Sequence, residues 1–181
     1  MADYIPTTPP VGVEPAPVAF QPTAMTLRFA AMLPLFTGWI EAERDLNHID
    51  RWDIAFTGWL RDAEQARRDF AEALDVLCGT EVERIEDRPL RTTARLIRAL
   101  IESDTPDVFA QLCRLPSLCP EQFRCRGKGP GTVRVNLLIH EAFLRIDALA
   151  TLPDCLDPIE AAYDATADHG EVPGPITASA A

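Results

Sequence analysis

Residues 52–77 read WDIAFTGWLRDAEQARRDFAEALDVL, and this stretch decides the fold class. Trp52, Ala55, Phe56, Trp59, Ala63, Ala66, Phe70, Ala73, Leu74 and Leu77 recur at steps of three and four residues, which places them along one side of an α-helix. The opposite side carries Asp53, Asp62, Glu64, Arg68, Asp69, Glu72 and Asp75. Glu64–Arg68 and Arg68–Glu72 stand four apart, a spacing that stabilises a helix by about 0.3 kcal/mol per pair. Asp50 is the expected N-cap and Gly79 the expected stop. A greasy stripe of this length must be buried against other elements.

Upstream, a helical region is expected from about Thr23 to His48, with Leu27, Ala30, Ala31, Leu35, Trp39 and Leu46 at compatible spacing. Pro34 is expected to kink or split it, because proline lacks an amide donor and clashes one turn back. Downstream, Glu81–Arg88 reads as a charged connector. Pro89 opens a helix through Ser103, with Leu90, Ala94, Ile97, Leu100 and Ile101 on one side. Thr105-Pro106 signals another start, followed by Val108, Phe109, Leu112 and Leu115. Residues 116–132 hold Pro116, Pro120, Pro130, Gly127, Gly129 and Gly131 and read as an irregular loop. Thr132–Leu137 alternates as a strand would. The longer pattern Val135, Leu138, Ala142, Ile146, Leu149 favours a helix to about residue 150, and its nearly all-round apolarity predicts a central, buried position. Pro153 ends it, and a short turn is expected at Pro158–Tyr163.

The fold class that follows is all-α, an irregular bundle of about five helices behind an extended, Pro-rich N-terminal tail. The expected divisions are a tail at 1–23, a helical domain at 24–162 and a flexible C-terminal tail at 163–181. Prolines 6, 9, 10, 15, 17 and 22 enforce extended backbone in the first tail. Tyr4, Ile5, Val11, Val13, Val18 and Phe20 give it apolar teeth. Residues 1–22 are thus either a disordered terminus or a segment that docks on another protein.

The chain has 181 residues, a net charge of −11 and a pI near 4.6. That balance argues against general affinity for nucleic acid or anionic membrane, since both need clustered cations. The longest uncharged apolar run, Phe29–Ile40, is too short to span a bilayer. Five cysteines and no secretory signal point to a reducing compartment, with the cytoplasm expected. The basic residues are 16 Arg and one Lys, Lys128, a bias expected of a GC-rich bacterial source. One tetrapeptide recurs: Phe36-Thr37-Gly38-Trp39 and Phe56-Thr57-Gly58-Trp59. Each Gly is expected to let a neighbouring helix approach while its Trp fills the core.

Three constellations are candidates for chemistry. Cys113, Cys119 and Cys125 are evenly spaced and form a candidate metal set for zinc or an iron–sulfur cluster, which His140 or Cys155 would complete. The spacing lacks the close C-x2-C pair of structural zinc sites, so reduced thiols packed as small hydrophobes are the alternative. Arg124, Arg126, Lys128 and Arg134 make the single basic patch of an acidic chain, interleaved with Gly127, Gly129 and Gly131. Arginine forks and glycine-exposed amides suit an anionic ligand or an acidic partner surface, while no G-x-x-x-x-G-K-[ST] is present. Glu41, Asp45 and His48 lie a turn apart, a cluster that capping and surface pairing explain. His140-Glu141 begins like a zinc-protease motif, but position 144 is Leu.

Arg134 and His140 are the candidate catalytic pair. Their spacing resembles the R-x4–6-H pattern of HEPN-type ribonucleases, themselves helical bundles, which would make the pair an RNA-cleaving site. The resemblance covers one helix, and Val135 stands where that family usually places a polar residue. Without a convergent catalytic set, the sequence leans away from an enzyme. The expected function is a non-catalytic helical protein–protein interaction protein, as adaptor, assembly subunit or regulator. The alternatives are a ribonuclease-like enzyme using Arg134 and His140, or a metal-binding protein using Cys113, Cys119 and Cys125.

Overall fold

The computed structural model describes residues 21–48, 52 and 54–152. The tails at 1–20 and 153–181, with Asp50, Pro153, Cys155 and the turn expected at Pro158–Tyr163, lie outside the described residues. Five helices make up the rest: α1 (Ala24–Leu46), α2 (Phe56–Cys78), α3 (Asp87–Ile101), α4 (Pro106–Leu118) and α5 (Pro130–Leu149). A single 3-10 turn, Pro120–Gln122, follows α4, and no strand occurs among the described residues. The chain is an all-α bundle.

α1 runs unbroken through Pro34, contrary to the expected split. The proline lies on the exposed side, where its ring meets solvent and not a packed neighbour. The carbonyl of Leu33 beside it is held from two sides: the Thr37 hydroxyl donates to it at 3.2 Å and Arg145 Nε of α5 at 3.0 Å. Arg145 Nε also donates to Thr37 Oγ1 at 2.8 Å, so a side chain of α5 ties the turn after Pro34 to the bundle, while the acceptor that proline deprives of its amide is the Ala30 carbonyl one turn back.

α2 returns antiparallel to α1, since Arg28 meets Thr80 at one end and Trp39 meets Arg67 at the other. Its stop falls where Gly79 predicts, but Gly79 keeps a right-handed backbone and donates to Asp75 O at 3.0 Å. Its start falls at Phe56, four residues later than the stripe suggested. Arg68 donates to Gln65, and not to Glu64 or Glu72 among the described residues. α3 begins at Asp87, two residues before Pro89. That costs nothing, because the first four amides of a helix have no partner within it. Thr105 caps α4 as expected, accepting from Val108 N at 3.4 Å, and α4 continues through Pro116 to Leu118.

Hydrophobic burial unites all five helices. Phe36 and Phe70 stack with centroids 4.5 Å apart, and Trp39 lies 5.4 Å from Phe70 and 6.0 Å from Phe36, so three rings from α1 and α2 form one mutually packed cluster. Leu90, Ala94, Ile97 and Leu100 of α3 and Val135, Leu138, Ala142 and Ile146 of α5 complete the core. α1, α3 and α5 all start near one end of the bundle. Thr23, Asp87 and Gly129 line a single cavity of about 560 Å³ there. Three helix N-termini bring positive potential to that end, offset in part by the C-terminus of α2 beside Arg28. A buried carboxylate answers it: Asp87 is 1% exposed, and it accepts from Thr23 Oγ1 at 2.7 Å and from Arg84 N at 3.0 Å. Asp87 lies in the segment expected as a charged connector.

The repeated tetrapeptides diverge in the fold. Phe36 and Trp39 are buried, whereas Trp59 is exposed. A Cβ added to Gly38 or Gly58 would meet nothing within 4 Å, so neither glycine is there to admit a neighbouring helix.

Candidate functional site

The basic loop before α5 is tied down. Along Phe123-Arg124-Cys125-Arg126, burial alternates inward and outward as in an extended strand. Phe123 packs edge-on against Phe143, with ring centroids 5.8 Å apart. The Asn136 side chain grips Cys125 at both backbone groups, accepting from its N–H at 2.9 Å and donating to its carbonyl at 3.1 Å. The Cys125 thiol donates to Thr132 Oγ1 at 3.8 Å. Gly127 then turns the chain with φ +131°, and a Cβ there would come within 3.1 Å of Thr132 Oγ1. Inward residues anchor; Arg124, Arg126 and Lys128 therefore face solvent, as does Arg134 on α5.

Arg134 and His140 share α5, and both are exposed. Neither lines the cavity at the N-terminal end nor the one of about 340 Å³ at the other, which Trp39, Arg67, Leu100, Phe109 and Leu152 enclose. Arg134 makes no ion pair among the described residues.

The cysteines are dispersed through the packing. Cys125 is buried under the loop, Cys113 is half-buried within α4, and Cys119 follows the last turn of α4. Among the described residues no group of three or more His, Cys, Asp or Glu is gathered to hold a metal ion. Burial pushes the Cys113 thiol above its ordinary range, with the Asp147 carboxylate adding to the effect. Cys78, at the end of α2, is raised likewise by burial and by Asp75, against the opposing charge of Arg98. Glu41 and Asp45 are exposed, and His48 Nδ1 lies 2.8 Å from the Arg44 carbonyl, at the end of α1.

Two apolar surfaces escaped the sequence reading. The first is the end of the α1–α2 hairpin. Each of these helices has 23 residues and spans about 34 Å, against about 22 Å for α3. The last buried residue of α1 is Ile40 and the first of α2 is Ala63, so the hairpin end extends past the core. It carries Trp52 (93% exposed), Ile54 (98%), Trp59 (44%) and Leu60 (39%). The second surface is the outer side of α5, where Val133, Leu137 and Leu144 are about half exposed. The expectation of a helix buried on all sides is corrected here: α5 buries one stripe and presents another. The signal was present in the spacing of Val133, Leu137, His140 and Leu144 at steps of four, three and four.

Compared with known protein families, curated proteins and solved structures, the chain matches none. No helix among the described residues is long and apolar enough to cross a membrane.

Proposed function

We propose that this chain is a non-catalytic protein–protein interaction module that engages another protein through the end of its α1–α2 hairpin. One observation carries the reading. Two tryptophans, an isoleucine and a leucine, all exposed, fall between residues 52 and 60 at the end of a hairpin that extends past the last buried residues of α1 and α2. Surface hydrophobics scattered singly need no explanation, but a group rich in Trp at a protruding end has the composition of an interface centre. Exposed acids outnumber exposed bases beside it: among the described residues Glu41, Asp45, Asp62 and Glu64 stand against Arg44 and Arg61. Such a rim favours a basic-rimmed apolar groove on a partner and disfavours an anionic lipid surface. Residues 1–22 remain a second proposed contact segment.

RNA cleavage by Arg134 and His140 has less support, because general acid–base chemistry needs groups that converge on a substrate-sized recess. The test is affinity recovery from the source cells with tagged full-length protein and with Ile54→Ser/Leu60→Ser. Ile54 is 98% exposed and Leu60 39%, so the variant should stay folded at a cost of about 1–2 kcal/mol, chiefly at Leu60. A companion bound stoichiometrically by wild type and lost by the variant supports the proposal. Equal recovery of every companion by both proteins overturns it.

A further inference from the structure

We infer that α5 carries a self-complementary docking seam and pairs antiparallel with α5 of a second copy of this chain. This does not depend on the hairpin and stands whether or not that end takes a partner.

The buried stripe of α5 (Val135, Leu138, Ile139, Ala142, Ile146 and Leu149) faces the core. Val133, Leu137, His140 and Leu144 lie on the opposite side of the same helix, all exposed. Their four-three-four spacing is the alternation of core positions in a coiled-coil seam. Val133, Leu137 and Leu144 thus give the outer side of α5 an apolar stripe flanked by charge, about half of it exposed among the described residues.

Charge identifies the occupant. With Val133, Leu137, His140 and Leu144 as seam positions, Arg134 and Glu141 are equivalent flanking positions seven residues apart, on the same edge of the seam. When two such helices pair antiparallel about a twofold axis, like edges meet. Val133 then falls opposite Leu144 of the other copy, and Leu137 opposite His140. Arg134 of each copy comes within a turn of Glu141 of the other. The twofold creates two identical cation–anion pairs. Parallel pairing would instead set this edge against the one carrying Asn136 and Phe143, which has no charge to offer. Arg134 has no ion pair within its own chain among the described residues. Glu141 has only a loose contact of 3.7 Å with Arg145, whose guanidinium is already anchored on Leu33 and Thr37.

The seam is small. These six side chains present on the order of 500 Å² per copy, so a pair buries on the order of 1,000 Å², the low end for a specific interface. The dimer is therefore weak and reversible.

Sedimentation equilibrium of the full chain from about 1 μM to 0.5 mM tests the seam. Wild type should pass from monomer to dimer within that range, and Leu137→Glu should remain monomeric with an unchanged melting curve. Arg134→Glu and Glu141→Arg, each exposed and each making two like-charge contacts, should weaken association about tenfold or more. Arg134→Glu/Glu141→Arg should restore it. A monomer at every concentration overturns the inference. So does a dimer that ignores the single charge reversals, or one that the double reversal fails to rescue.

Discussion

The Thr23 hydroxyl donates to Oδ1 of Asp87 across 2.7 Å, joining the starts of two helices 64 residues apart in the chain. The same hydroxyl accepts from Thr26 N at 3.1 Å, so one side chain caps α1 and satisfies the buried acid of α3. Thr23→Ala removes both interactions and should lower stability by about 1–3 kcal/mol, the cost of a lost cap plus a buried acceptor left unpaired. Thr23→Ser retains the hydroxyl and should stay within about 1 kcal/mol of wild type. Urea denaturation of the two variants decides it; matching midpoints would remove the contact from the account of stability.

Phe70 is 1% exposed and closes a triangle of rings, 4.5 Å from Phe36 and 5.4 Å from Trp39. Phe70→Ala leaves a ring-sized void between α1 and α2 and should cost about 3–5 kcal/mol. Phe70→Leu should cost distinctly less. Thermal melts followed at 222 nm provide the comparison.

Helical glycines with open space around them weaken a helix without serving packing. Gly38 lies well inside α1 with nothing within 4 Å of an added Cβ, so Gly38→Ala should raise stability by about 0.5–1 kcal/mol. Gly58 has the same open surroundings but sits in the first turn of α2, where the gain should shrink to a few tenths of a kcal/mol. A loss of stability in Gly38→Ala would mean that the glycine serves a contact absent from this structure.

Burial raises the thiols of Cys78 and Cys113, so both should alkylate with iodoacetamide more slowly at pH 8 than an unfolded-chain thiol does. The sign on stability follows. The folded state holds these protons more tightly, so their contribution is fully present below the ordinary thiol range and is lost as pH rises through the raised values. Mass-resolved labelling in native buffer and in urea provides the measurement. Native rates equal to those in urea would refute the burial argument.

The five helices were legible because their apolar spacing and caps are local. Thr105-Pro106 set the start of α4, and the Leu90–Leu100 stripe set the buried side of α3. Pro34 misled because a local rule disfavours it, while the burial of Met32, Leu33 and Phe36 on either side of it holds α1 in one piece despite the missing helix hydrogen bond. Pro116 misled in the same direction, since α4 continues through it.

Periodicity alone determined that this chain is helical and which stripes are greasy. Tertiary structure decided which stripes find cover. Trp39 and Trp59 close two copies of one tetrapeptide, yet one is buried and the other is 44% exposed, because Trp39 packs on Phe36 and Phe70 while the buried stretch of α2 begins only at Ala63. Val135 and Val133 are both apolar residues of α5, yet only Val135 faces the core. Burial depends on what stands across from a residue, and that neighbour is supplied by a different part of the chain.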